Sequence, residues 1–273
     1  MNTNQNKFIS DHLNRINWVF FDLSHPGNLG ASARALKVMN ASNIKLVNPV
    51  KAGLAMESVA IRRAAGAKDV LESCTETTFE QATKNSNYVI AFSARKREIE
   101  PQLLDFNTMV DLVVELLMTS QDSRVSMVFG GERVGLQNKD LIKCTHLCKF
   151  DVNPTYSSLN LSHAVQLVSY ALRAKLKTQF SVSSEFKPKI IKNSYSNNSN
   201  FNKMGITQKK ILELKKSFLE LSTEIGLIQP DKKGKVEDKI IRILNSTNLS
   251  ENDFKLLHSF FALVKKNLKE KQQ

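Results

Sequence analysis

The chain has 273 residues, 41% of them hydrophobic and 24% charged, an ordinary balance for a folded protein with a sizeable core. Its formal net charge of +13 points to a polyanionic partner, nucleic acid first, because such an excess attracts phosphates and makes binding salt-dependent. Three cysteines, odd in number and without dense spacing, argue against a disulfide framework. No run approaches the roughly 18 apolar residues of a membrane span, so a soluble cytoplasmic protein is expected.

In chain order, Ile16 to Leu23 reads as a buried strand, followed by a helix starting near Asn28. Ile44 to Val47 is a second strand, Met56 to Ala65 a helix, Val70 to Cys74 a weak strand and Phe79 to Lys84 a short helix. Tyr88 to Phe92 is the next buried strand, and Asp105 to Met118 has helical periodicity. Val125 to Phe129 is a strand, Gly130 to Gly135 a glycine-bearing loop, Asp140 to Cys144 a short helix and His146 to Phe150 a last strand. Strands alternating with helices at this spacing predict an α/β domain with a mostly parallel sheet and helices on both faces. Ligands on such sheets sit at the carboxyl ends of the strands, where the loops after Leu23, Phe129 and Phe150 would converge.

From Thr178 the composition turns to Ser, Asn and Lys without an apolar period, which reads as a linker over 178–205. Residues 206–273 then hold three amphipathic stretches, with 14 basic and 9 acidic side chains. They predict a small, basic, all-helical extension, a bundle or packing module.

Three stretches carry chemical signals. His25 to Ala35 (HPGNLGASARA) has two glycines around Asn28 and an arginine, Arg34, about one turn into the helix. The glycines allow a tight turn and close approach of a ligand, and Arg34 can face an anion near the helix N-terminus. It is neither a P-loop nor a dinucleotide fingerprint. Phe129 to Leu136 (FGGERVGL) offers backbone amides after a strand, with Glu132 and Arg133 among the glycines. Asn153 to Leu172 (NPTYSSLNLSHAVQLVSYAL) begins as a turn at Asn153-Pro154 and continues into a helix with Leu161, Ala164, Val165, Val168 and Leu172 on one face. Cys144, His146 and Cys148 lack the fourth ligand that a structural zinc site needs, so no metal is expected. His25 and His163 read as turn or surface residues.

Together, SHPGNLGASARA, VFGGERVGL and NPTYSSLNLSHAVQL resemble, in order and spacing, the three motifs of the SPOUT superfamily of knotted RNA methyltransferases. The forms of the first and third motifs, with the helical extension, are most similar to the bacterial tRNA ribose-2′-O-methyltransferases that act on cytidine or uridine 32 of the anticodon loop. The resemblance spans about the first 175 residues. It implies a deep trefoil knot near Asn153 to Ala171, S-adenosylmethionine as methyl donor, tRNA as substrate and an obligate homodimer with active sites at the interface.

Carried over by position, the cofactor would contact Phe92, Ser93, Ala94, Gly130, Phe150, Ser157, Ser158 and Leu159. The catalytic set would be Asn28, Arg34, Glu132, Ser158 and Asn160. Many relatives have Arg or Pro where this chain has Gly131, which would remove a contact to substrate phosphate. The alternatives are a SPOUT ribose methyltransferase for another tRNA position or ribosomal RNA, and a non-catalytic basic RNA-binding protein.

Overall fold

The computed structural model describes residues 3–95, 101–185, 205–228 and 233–270. Helix α1 (Thr3–Leu13) leads into β1 (Ile16–Phe21), α2 (Pro26–Val38) and β2 (Ile44–Val47). A 3-10 turn precedes α3 (Ser58–Ala64), α4 (Lys68–Glu72), β3 (Thr75–Thr77), α5 (Phe79–Thr83) and β4 (Tyr88–Phe92). Next come β5 (Gln102–Leu104), α6 (Phe106–Thr119), β6 (Val125–Phe129), α7 (Asn138–Leu141), β7 (His146–Cys148) and α8 (Leu161–Glu185). Helices α9 (Gln208–Glu224), α10 (Lys233–Ser246) and α11 (Glu251–Glu270) follow.

The seven strands form one parallel sheet in the order β3-β2-β1-β6-β4-β7-β5. Its central strands read as near-continuous apolar runs because both faces are covered. Trp18 and Phe20 point into the larger core with α1, α2, α6 and α8, while Val19 and Phe21 point into a second core under Phe79, Ala82 and Leu141.

Several boundaries differ from the sequence reading. Val70 to Cys74 is not a strand: Ala67, Val70 and Leu71 share one helical face and are all buried, so α4 forms and the strand waits until Thr75. β1 stops at Phe21 because Asp22 takes a left-handed φ of 47°. β7 stops at Cys148, leaving Phe150 in a loop. The short strand β5, paired along one edge with β7, has too brief a pattern to be read in advance.

Residues 178–185, expected as linker, continue α8. Thr178 Oγ1 and Ser181 Oγ donate to the Ala174 and Lys177 carbonyls, and Phe180 packs on Phe8 of α1 at 5.3 Å between ring centroids. The rest of that segment, 186–204, lies outside the described residues.

Helices α9 to α11 gather Ile206, Ile211, Leu214 and Ile241 with Leu257 and Phe261, and Ile142 joins them from the end of α7. Asn87 Nδ2 donates to Gly205 O at 2.8 Å, and Gln208 N donates to Ser86 O at 3.0 Å. His146 lies beside this seam, its Nδ1 2.8 Å from Thr145 Oγ1 and its ring edge-on to Tyr88. Burial lowers its pKa from 6.5 to about 4. The unfolded chain therefore takes up this proton first as pH falls, so stability is expected to decline between pH 6.5 and about 4 and to be insensitive to His146 above that window. Urea midpoints at neutral and acid pH check this, and His146→Gln should flatten the decline.

Helix α2 packs against α3 with almost no space: a Cβ on Gly30 would lie 2.1 Å from Ala60 O and 3.0 Å from Ala64 N. Gly30→Ala must push the two helices apart. A loss on the order of 2 kcal/mol is expected from such overpacking, measurable as a lower urea midpoint with an unchanged m-value.

Candidate functional site

The register fixes where the loops meet. Phe20 pairs with Phe129, Phe129 with Phe92 and Phe92 with Cys148, so β1, β6, β4 and β7 end level along one edge of the sheet. Their aromatic ends form a layer: the Phe92 and Phe129 rings stack at 4.7 Å, and Phe150 lies against Phe92 at 5.6 Å. The polar loops rise from this apolar floor.

The loop after β1 opens α2, with His25 as N-cap, its ring nitrogen accepting from Gly27 N at 3.0 Å and Pro26 at the first helical position. The loop after β6 brings Glu132 over that helix start. Its carboxylate accepts from Asn28 Nδ2 at 2.8 Å, Ser24 Oγ at 3.0 Å, Ser24 N at 3.2 Å and His25 N at 3.3 Å. Burial alone would raise its pKa, but the hydrogen bonds from Asn28 and Ser24 outweigh it and hold the carboxyl below the ordinary 4.5.

The third stretch closes the cluster. Asn153 makes the expected turn, accepting from Thr155 N at 3.0 Å. Asn160 then caps α8, its Oδ1 accepting from Ser162 N at 2.9 Å, while its Nδ2 donates to Asn28 Oδ1 at 3.1 Å. One amide thus starts a helix and ties it to Asn28. The apolar face of α8 is buried as its spacing predicts, with Val165, Val168 and Leu172 fully enclosed.

Beside this Glu132–Asn28–Asn160 chain lies a cleft. The eight residues expected around a cofactor, Phe92, Ser93, Ala94, Gly130, Phe150, Ser157, Ser158 and Leu159, all line it, as does Glu132. Phe129, Arg95, Leu136 and Ala164 line it too and were not expected from sequence as cofactor contacts. Ser24 was also missed as a partner of Glu132, although its place directly before the cap of α2 carries a signal.

Two sequence readings need correction. Arg34 lies eight residues past Pro26, more than two turns into α2, so it does not face the helix N-terminus. It is exposed and is not among the residues lining the cleft. The glycines of the first motif serve packing rather than ligand approach: Gly30 meets α3, and a Cβ on Gly27 would lie 2.8 Å from the His25 ring. Gly130 lines the cleft, and a side chain there would strike the Gly135 and Leu136 backbone at 2.3 Å.

Gly131 has its own reason. A Cβ there would come within 2.5 Å of Asp22 O, so the loop after β6 rests directly on the end of β1. Among the described residues, Cys144, His146 and Cys148 included, no group of three His, Cys, Asp or Glu side chains is placed to hold a metal ion. Burial pushes the Cys74 and Cys148 thiols up to about 12, which keeps them protonated.

A parallel sheet whose level strand ends carry an aromatic-floored cleft, flanked by a hydrogen-bonded Glu–Asn–Asn chain from three motifs, is the fold and site of the SPOUT class of methyltransferases. The chain belongs to the SpoU rRNA Methylase family, whose model matches residues 15–170.

It is 31% identical over 268 residues to the tRNA (cytidine/uridine-2′-O-)-methyltransferase TrmJ of Klebsiella pneumoniae, covering 95% of this chain and 100% of that one. With the enzyme of the same name from Pectobacterium atrosepticum it shares 40% identity over 162 residues, which span 59% of this chain and 65%, just under two thirds, of that relative. The crystal structure of TrmJ from Z. mobilis ZM4 superimposes with a TM-score of 0.72 at 19% identity, covering 91% of this chain and 98% of that one, a likeness of fold. Among the described residues no helix is long and apolar enough to cross a membrane.

Proposed function

We propose that this protein methylates the ribose 2′-hydroxyl of nucleotide 32, cytidine or uridine, in the anticodon loop of tRNA, and that it does so as a homodimer. The observation that carries the reading is the chain Glu132–Asn28–Asn160, in which three motifs distant in sequence meet at the rim of one cleft.

S-adenosylmethionine is the methyl donor of this family and supplies an electrophilic methyl group. The cleft suits it. Phe92, Phe129 and Phe150 give an apolar wall for the adenine, and Ser93, Ser157 and Ser158 bring hydroxyls and main-chain groups for its polar ends. In this reading Glu132 stays ionised at neutral pH and fixes Asn28, Asn28 and Asn160 orient the ribose, and Ser158 lies where the cleft meets it. Arg34 holds the adjacent phosphate. Its place outside the cleft of its own chain supports an active site completed across a dimer interface, and so do the exposed Tyr156, Leu167 and Tyr170 on and before α8. A trefoil knot around residues 153–171 belongs to the same reading, with the helical residues from 206 onward as a separate extension.

The test is methyl transfer from labelled S-adenosylmethionine to tRNA transcripts with nucleotide 32 varied, followed by mass analysis of the digested RNA. A 2′-O-methyl at position 32 is expected. A methyl at another ribose would move the assignment to a different target, and cofactor binding without any incorporation would overturn it.

A further inference from the structure

We infer that the outer face of α3, through Arg62 and Arg63, is a docking surface for the RNA backbone beside the reacting nucleotide; this rests on the reading of the protein as an RNA methyltransferase. The position follows from packing. Gly30, where α3 touches α2, is two residues past Asn28, so α3 is held next to the helix start that carries the Glu132–Asn28–Asn160 chain. Ala60 and Ala64 face α2 and are fully buried, which leaves Arg62 and Arg63 between them, exposed to solvent.

The pattern of pairing makes this face distinctive. Residues 26–74 hold seven basic and three acidic side chains, and each acid is taken by a lysine. Lys37 pairs with Asp69 at 2.7 Å, Lys51 with Glu57 at 3.0 Å and Lys68 with Glu72 at 2.7 Å. Arg62, Arg63, Arg34 and Lys45 are left with no side-chain hydrogen bond or ion pair among the described residues, and only Arg62 and Arg63 are adjacent in sequence.

In the C-terminal helices, by contrast, Lys210, Lys215, Lys216, Lys265 and Lys266 all sit within 4.0 Å of a carboxylate. Five of the 14 basic side chains of that segment are thus answered by the chain itself. Adjacent guanidiniums without counter-charges concentrate positive potential, and their forked donors match phosphate oxygens bidentately. A polyanion crossing α3 on its way to the site satisfies both.

The experiment compares the parent protein with Arg62→Ala/Arg63→Ala, titrating an unmodified tRNA transcript at salt from about 50 to 300 mM. The double variant is expected to lower the slope of log Kd against log salt by about 1.4 to 1.8, the share of two phosphate contacts. KM for the transcript should rise while kcat and the Kd for S-adenosylmethionine stay as in the parent. Arg62→Lys/Arg63→Lys should recover most of the slope, since it restores the charge. An unchanged slope and KM in the alanine variant, with the parent active, would overturn this inference and leave the functional reading standing. A parent that binds S-adenosylmethionine but neither binds nor methylates the transcript would overturn both.

Discussion

Arg34→Ala is expected to lose roughly 100-fold or more in turnover while binding S-adenosylmethionine as the parent does, the scale of a lost electrostatic or orienting group. The second half follows from geometry, since Arg34 is exposed on α2 and does not line the cleft. The first follows from the chemistry of the group. A guanidinium is a poor proton acceptor at neutral pH, so a role as base for the ribose hydroxyl is unattractive. That hydroxyl becomes acidic only as the new bond to carbon forms, and a phosphate oxygen or water then suffices to take its proton. Holding the neighbouring phosphate through two parallel hydrogen bonds fixes the hydroxyl in line with the methyl, a positioning effect of several kcal/mol. Arg34→Lys should therefore keep partial activity with no new alkaline limb in its pH profile. A clear rate increase where an amine loses its proton, at constant RNA binding, would instead identify position 34 as the base.

Glu132→Ala should cost a similar factor by a different route. Its carboxylate is the common acceptor for Asn28, Ser24 Oγ and two backbone amides, so its loss frees Asn28 and, through it, the contact to Asn160. The expected signature is a fall in kcat of roughly 100-fold with little change in unfolding midpoint, because the residue is exposed and lies outside the core. Its pKa is held below 4.5, so the contribution of this carboxylate is present above that value and lost as pH falls through the lower, folded one. Activity of the parent should thus persist into mild acid. Glu132→Gln should already be impaired at neutral pH, since its amide nitrogen offers a donor where four donors converge. A Glu132→Gln enzyme with parental kcat would show that the carboxylate does not organise Asn28.

Much of the site was legible because its signals are local in sequence. The turn at Asn153-Pro154, the start of a helix at Leu161 and the glycine loop after Phe129 each depend on a few consecutive residues whose backbone preferences are strong. The apolar face of α8 is likewise written in its three- and four-residue spacing, and all five residues named for it are buried. Where preferences were weak or brief the reading failed: Val70 and Leu71 suit a strand or a helical turn, and their burial on α4 was settled by neighbours. Thr178, Ser181 and their neighbours look like linker, yet backbone hydrogen bonds and a ring contact from α1 extend the helix through them.

The sequence by itself determined the alternation of strands and helices and the positions of the three motif loops. Each of these rests on short-range chemistry: rotamer and backbone preference, periodic burial and turn formation. Only the tertiary structure decided what the glycines are for and what Asn28 touches. Gly30 and Gly131 report on segments about 30 and 110 residues away, namely Ala60 and Asp22, and no local pattern encodes that distance. Asn28, Glu132 and Asn160 come together because parallel strands β1, β4, β6 and β7 end in register, a property of the whole sheet rather than of any stretch within it.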